Sequence, residues 1–128
     1  MKKKILLVDD EKSFTNLLKL SLEQTGQYEV RVENHAEDAL PAAQEFRPDI
    51  MLLDIIMPRM PGGNVVAQFQ ADPTLQNLPI VFLTAAVQRS RLEDMDGIIS
   101  GLPCLTKPAS LEEIVTMIER ETGAGGKQ

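Results

Sequence analysis

Three short apolar runs constrain the fold more than any other feature of this sequence. They occupy residues 5–8, 50–53 and 80–83, and none of them alternates with polar residues. Continuous apolar runs of this length, bounded by polar residues, are typical of strands buried on both faces of a parallel sheet. The segments between them have helical spacing, so the chain alternates strands with helices. This alternation predicts a layered α/β domain.

Two weaker strands complete the predicted sheet. Residues 28–33 alternate, with Val30 and Val32 between charged neighbours, as expected for a strand with one wet flank. Residues 102–106 contain Pro103, which cannot donate to a ladder and is normally tolerated only in an edge strand. With these strands at the two edges, the pattern predicts a doubly wound, flavodoxin-like parallel sheet of five strands in the order 2-1-3-4-5, together with five helices.

The helices differ in how clearly the sequence defines them. Near the start, one apolar face is predicted to contain Phe14, Leu17, Leu18 and Leu22, and near the end another contains Leu111, Ile114, Val115 and Ile118. Asn34 and Glu37 resemble a capping pair for the second helix, but Pro41 would then lie inside it, so we expect a kink or a late start. The fourth helix, around residues 90–95, is the least defined.

Composition excludes several classes of function. A length of 128 residues suits one domain, predicted over residues 1–121 with a flexible tail at 122–128. The net charge of −6 argues against nucleic-acid binding, and the first apolar run is too short for a signal peptide or a membrane span. The single cysteine, Cys104, excludes an internal disulfide and is expected to be a small buried hydrophobe. We therefore expect a cytoplasmic protein, with the single histidine, His35, at its surface.

Oxygen-bearing side chains follow each of the three apolar runs. Asp9 comes after the first run, Asp54 after the second and Thr84 after the third. The carboxyl ends of parallel strands form the edge where open α/β sheets bind ligands, so Asp9, Asp10 and Asp54 should meet there. Neighbouring carboxylates repel one another, and a hard cation with oxygen ligands would relieve that repulsion. The expected metal is Mg²⁺.

Two residues near this edge have simpler interpretations. Asp10 precedes the first predicted helix and could be no more than its N-cap. Lys107 on its own could be a solvated lysine. At the end of the fifth strand, beside an acidic pocket, it could instead balance the charge of an incoming phosphoryl group.

Taken together, the motifs resemble those of the response-regulator receiver family of two-component signalling. They are Asp9 and Asp10 after the first strand, Asp54 followed by Met57, Pro58 and Gly62 after the third, Thr84 and Ala85 after the fourth, and Lys107 and Pro108 after the fifth. The resemblance covers residues 3–121. Each motif is weak alone, but the full set in this order and at these separations is highly specific.

This resemblance implies a phosphoacceptor signalling domain rather than an enzyme. Asp54 would accept a phosphoryl group from a histidine kinase or a histidine phosphotransfer protein, and Thr84 and Lys107 would grip the phosphoryl oxygens. The implied ligands of Mg²⁺ are Asp9, Asp10, Asp54 and the backbone carbonyl of Ile56. Phosphorylation would then switch a face formed by the fourth helix, the fifth strand and the last helix, which a downstream protein reads.

One position departs from the family pattern. Receivers usually carry Tyr or Phe three residues before the lysine, and here that switch position is Cys104. The ring rotation that usually accompanies the switch therefore has no counterpart in this chain. The phosphorylation motifs themselves are intact.

Three other functions match part of the pattern. A phosphatase of the haloacid dehalogenase type also uses an aspartate nucleophile with Mg²⁺, but it needs a second Asp where this chain has Ile56. Flavodoxin-like cofactor binding needs a phosphate-cradling loop after the first strand, where Asp9 and Asp10 would repel phosphate. The main alternative is an adaptor with a receiver fold that works without phosphorylation. Mg²⁺-dependent incorporation of phosphate would distinguish these functions.

Overall fold

The computed structural model describes residues 2–55, 62–85, 103–107 and 109–123, and within these ranges strands alternate with helices. The strands are β1 (Lys3–Val8), β2 (Tyr28–Glu33), β3 (Ile50–Asp54), β4 (Ile80–Ala85) and β5 (Cys104–Lys107). The α-helices of the described ranges are α1 (Lys12–Gln24), α2 (Ala39–Phe46), α3 (Gly62–Gln70) and α4 (Leu111–Glu121), with a 3₁₀ turn at Ala36–Asp38 before α2. The helix expected around residues 90–95 lies outside these ranges.

The five described strands form one parallel sheet in the order β2-β1-β3-β4-β5. This order confirms the predicted doubly wound, flavodoxin-like arrangement, with β2 and β5 at the edges. In β2, Tyr28 and Val30 are buried, Glu29 is exposed and the remaining residues are half-buried. The alternating pattern of this strand therefore reflects its open flank.

The apolar runs are buried because helices cover both faces of the sheet. On one face, Leu6, Val8, Met51, Leu53 and Phe82 pack against residues of α2 and α3, including Ala42, Ala43, Val66 and Phe69. On the other face, Ile5, Leu7, Ile50, Leu52, Val81 and Leu83 pack against α1 and α4 through Leu18, Leu22, Ile114 and Ile118. Successive residues of these apolar runs point to opposite faces of the sheet, and both faces are covered by helices. The runs therefore contain no polar side chain.

Helix α1 buries a narrower face than its sequence predicts. Thr15, Leu18 and Leu22 are buried, but Leu17 is 66% exposed, so its assignment to the core face was wrong. Successive helical residues are about 100° apart, and Leu17 therefore points well away from Leu18. In α4, Leu111 is likewise exposed at 38%, at the start of a helix whose core contacts are made further along.

Helix α2 starts late, as Pro41 required. It begins at Ala39, so Pro41 is its third residue, where a backbone N–H has no intrahelical partner and its absence costs nothing. The predicted capping pair of Asn34 and Glu37 was wrong. Asp38 occupies the N-cap of α2 without a side-chain cap, and the Asn34 amide bonds elsewhere, as described below.

The last strand and the last helix have well-defined starts. Strand β5 begins at Cys104, one residue after Pro103, whose carbonyl accepts a hydrogen bond of 2.9 Å from the Phe82 N–H. Ser110 and Glu113 form a reciprocal capping box at the start of α4. None of the helices in the described ranges combines the length and the apolar character that a membrane span requires.

Candidate functional site

The sheet register brings the predicted site residues to one edge. Val8, the last residue of β1, pairs with Leu53 of β3, which places Asp9 beside Asp54. Asp54 pairs with Leu83 of β4, next to Thr84, and Ala85 at the end of β4 pairs with Lys107 of β5. Four adjacent strand ends therefore carry the predicted residues, as expected for parallel strands.

Three carboxylates meet at this edge. Asp9, Asp10 and Asp54 each have a carboxylate oxygen in this cluster, and the three oxygens lie within 4.8 Å of one another. Asp9 is fully buried, Asp54 is 5% exposed and Asp10 is exposed. Hard divalent cations favour such clusters of carboxylate oxygens, so these residues fit a magnesium-type ion. The N-cap interpretation of Asp10 was wrong, because Glu11 occupies the N-cap of α1.

Both oxygens of the buried Asp9 accept hydrogen bonds. The backbone N–H of Glu11 donates to Oδ1 at 2.9 Å, and the Lys107 ammonium donates to Oδ2 at 2.6 Å. Burial raises the pKa of Asp9 above its usual range, and these two hydrogen bonds offset only part of that effect. Burial therefore disfavours the charged form of Asp9, which a bound cation would stabilise.

Lys107 lies between two carboxylates and an aromatic ring. Besides Asp9, its ammonium donates to Glu11 Oε1 at 2.8 Å and stands 4.7 Å from the centroid of the Phe14 ring. Burial lowers the pKa of Lys107, but the hydrogen bonds to Asp9 and Glu11 and the nearby charge of Asp54 outweigh it, so the pKa lies above its usual range. The ammonium is thus charged and oriented at the edge of the acidic cluster.

Sequence reasoning missed two of these contacts. Glu11 was not among the candidate residues. Its position directly after Asp9 and Asp10 could have indicated that its carboxylate lies near the acidic cluster. Phe14 was assigned to the core face of α1. It is half-buried, and its ring also lies under the Lys107 ammonium.

A second missed feature supports the backbone at the site. The Asn34 side-chain amide donates to the carbonyl of Asp9 at 2.7 Å and to the hydroxyl of the buried Thr15 at 3.1 Å. The N–H of Asp9 in turn donates to the carbonyl of Glu33 at 3.1 Å. The loop after β2 therefore holds the end of β1 in place.

The remaining predicted residues are placed only in part. Ile56 and Pro108 lie outside the described ranges, and the side-chain roles proposed for Thr84 and Ala85 remain predictions. Cys104 is half-buried rather than buried and packs against the core cluster that contains Phe82. His35 is exposed, as expected.

The fold and the site together define an α/β domain with an acidic cluster at the switch point of a doubly wound sheet. The family model of the response regulator receiver domain matches residues 5–119. The chain therefore belongs to the response-regulator receiver family, as its motifs predicted.

Individual relatives agree with this assignment. The chain is 36% identical over 119 residues to the alkaline phosphatase synthesis transcriptional regulatory protein PhoP of Bacillus subtilis, covering 89% of this chain and 46% of PhoP. It is 34% identical over 116 residues to the transcriptional regulatory protein TrcR of Mycobacterium tuberculosis, covering 90% of this chain and 43% of TrcR. The chain thus spans less than half the length of these two relatives.

Solved structures show the same fold over nearly the whole chain. The chemotaxis protein CheY4 of Vibrio cholerae superposes with a TM-score of 0.83 at 26% identity, covering 94% of this chain and 99% of that one. A response regulator of Chloroflexus aurantiacus, described as putative, superposes with a TM-score of 0.83 at 28% identity, covering 95% and 98%. Both solved chains therefore share the fold of this chain over nearly all of its length.

Proposed function

We propose that this receiver domain accepts a phosphoryl group on Asp54 with the help of Mg²⁺. The observation that carries the proposal is the juxtaposition of three carboxylates within 4.8 Å with a lysine ammonium 2.6 Å from one of them. This arrangement supplies a nucleophile, oxygen ligands for a hard cation and a fixed positive charge at the carboxyl ends of adjacent strands. Phosphoryl transfer depends mainly on positioning and on neutralising charge, and the site has groups suited to both.

The metal ligands in this proposal are the cluster carboxylates. Asp9, Asp10 and Asp54 would hold the ion, and the family resemblance adds the backbone carbonyl of Ile56. Mg²⁺ would supply positive charge to the transferred phosphoryl group and to the carboxylates around it. The buried charge of Asp9, whose pKa is raised by burial, is the feature of this chain that most favours a bound cation.

The chain's own residues would carry out the transfer. A carboxylate oxygen of Asp54 forms a bond to phosphorus while the bond from phosphorus to the imidazole nitrogen of a phosphohistidine breaks, and the imidazole leaves with that electron pair. Lys107 would donate to the phosphoryl oxygens, and the hydroxyl of Thr84 would do so after transfer. The product is an acyl phosphate on Asp54, and the domain acts on itself rather than turning over a separate substrate.

The partners in this proposal are proteins. A histidine kinase or a histidine phosphotransfer protein would supply the phosphoryl group, and a downstream protein would read the face that includes β5 and α4. PhoP and TrcR are named as transcriptional regulators, but the match covers less than half of each. With a net charge of −6, this domain itself would not bind nucleic acid.

Labelling with acetyl phosphate tests the proposal. The wild-type protein should gain one hydroxylamine-sensitive phosphoryl group in Mg²⁺ and none in EDTA, and Asp54→Asn should gain none. Asp38→Asn is a matched control, because Asp38 is exposed at the N-cap of α2 and makes no side-chain cap. Undiminished labelling of Asp54→Asn would reject Asp54 as the acceptor. A wild-type protein that gains no label would favour the alternative function, an adaptor that works without phosphorylation.

A further inference from the structure

Asp9 has two competing partners in the proposed function. Its Oδ2 accepts a hydrogen bond of 2.6 Å from Lys107, and the same carboxylate belongs to the three-oxygen cluster. A divalent cation at that cluster would draw on the negative charge of Asp9 and would repel the Lys107 ammonium. Metal binding should therefore weaken the contact between Asp9 and Lys107.

Two groups outside the cluster could then retain Lys107. Glu11 Oε1 accepts a hydrogen bond of 2.8 Å from the ammonium, and the Phe14 ring centroid lies 4.7 Å from it. Both residues come from the start of α1, and Glu11 is not one of the three clustered carboxylates. A carboxylate and an aromatic face both attract an ammonium ion.

We propose that Glu11 is a positioning residue that keeps Lys107 beside the acidic cluster when a cation occupies that cluster. The inference rests on the proposed function, since it assumes a cation at Asp9, Asp10 and Asp54. Glu11 acts through Lys107 and does not touch the reacting atoms. The Phe14 ring, 4.7 Å from the ammonium, provides a second contact.

The exposure of Glu11 suits it to a contact that must also be released. Its side chain is 61% exposed, whereas that of Asp9 is fully buried. An ion pair with an exposed carboxylate is weakened by solvent, so it can hold Lys107 without competing strongly against a phosphoryl oxygen. The ammonium has three donors, which allows it to begin a new hydrogen bond before it gives up the old one.

A double-mutant cycle on Mg²⁺ affinity tests the inference without any phosphorylation. The dissociation constant is measured for the wild-type protein, Glu11→Gln, Lys107→Met and the double variant. Glu11→Gln should weaken Mg²⁺ binding at least about threefold more when Lys107 is present than when Met replaces it. An equal loss in both backgrounds would mean that Glu11 acts only through its charge and would overturn the inference.

The resonances of the Lys107 ε-methylene provide a second readout. In the wild-type protein the shift caused by the Phe14 ring should persist when Mg²⁺ is added, and in Glu11→Gln it should collapse towards the value of a mobile lysine. Persistence of that shift in Glu11→Gln would contradict the role of Glu11. A wild-type protein that binds no Mg²⁺, or whose binding is unaffected by Asp10→Ala, would reject the proposed function itself. The Glu11→Gln substitution should leave the start of α1 intact, because the Glu11 side chain does not cap that helix.

Discussion

The Asn34 side chain holds the backbone of Asp9 across the loop that follows β2, through a hydrogen bond of 2.7 Å from its amide to the Asp9 carbonyl. The same amide donates to Thr15, whose hydroxyl donates to the carbonyl of Lys12. The chain of hydrogen bonds thus joins the end of β1, the loop after β2 and the first turn of α1. Asp9 is positioned by residues that never enter the acidic cluster.

Replacing Asn34 should therefore destabilise the fold near the site. We expect Asn34→Ala to lower the free energy of unfolding by about 1 to 3 kcal/mol, because it leaves a buried acceptor without its partner. Urea denaturation measures the loss. His35→Ala is the control, since the neighbouring His35 is exposed and makes no side-chain cap. Equal stability of the two variants would show that the Asn34 contacts contribute nothing.

Asp10 is the carboxylate of the cluster that can be removed with the least disturbance of packing. It is exposed and is not the N-cap of α1, so Asp10→Asn should raise the free energy of unfolding in EDTA by about 0.5 to 2 kcal/mol as carboxylate repulsion falls. The same variant should bind Mg²⁺ more weakly. Asp38→Asn, outside the cluster, should change stability by less than about 0.5 kcal/mol. A less stable Asp10→Asn protein would point to an undetected structural role.

Two leucines of α1, Leu17 and Leu22, were predicted to share one buried face but differ in exposure. Leu22→Ala should cost about 2 to 5 kcal/mol, because Leu22 is fully buried in the core. Leu17→Ala should cost less than about 0.5 kcal/mol, because Leu17 is 66% exposed. Thermal and urea unfolding of the two variants measure the difference, and similar losses would contradict the packing of this helix.

The sequence predicts the sheet well because burial on both faces leaves a simple pattern. The apolar runs of β1 and β3 are buried at every position, so these runs locate the strands in the sequence. The polar residues that follow them locate the edge of the sheet that carries the site. The pattern is weaker for α1, where apolar residues spread over more than half of the circumference. Packing against the sheet then selects Leu18 and Leu22 and leaves Leu17 outside.

The contacts around Lys107 could not be predicted in the same way. Glu11 and Lys107 are 96 residues apart, and their hydrogen bond depends on how α1 docks beside β5. Asn34 shows a related limit. Its position suggested a local cap, but its amide satisfies the carbonyl of Asp9, 25 residues away. Local patterns identify residues that can form hydrogen bonds, whereas tertiary packing selects the partner.

A cluster at the opposite end of the sheet ties α4 to β1 and β2. Glu119 of α4 accepts hydrogen bonds of 2.6 Å from the Lys3 ammonium and 2.5 Å from the hydroxyl of the buried Tyr28. The hydrogen bonds from Lys3 and Tyr28 lower the pKa of Glu119. Burial, together with the nearby Glu119 carboxylate, raises the pKa of Tyr28. The contacts therefore depend on an ionised Glu119 and a neutral Tyr28.

The pH dependence of stability should report this cluster. A carboxyl whose pKa is lower in the folded protein stabilises the fold above its unfolded pKa of about 4.5, and that contribution disappears as the pH falls through the folded value. A phenol whose pKa is raised by folding acts in the opposite sense, so its contribution is lost as the pH rises above about 10. Glu119→Gln should flatten the stability profile at both ends and should cost less than about 1 kcal/mol at pH 7, since Glu119 is 38% exposed. Tyr28→Phe should flatten the alkaline end fully and the acid end only in part, because the Lys3 hydrogen bond still lowers the pKa of Glu119. Unchanged profiles for both variants would show that the cluster does not anchor α4.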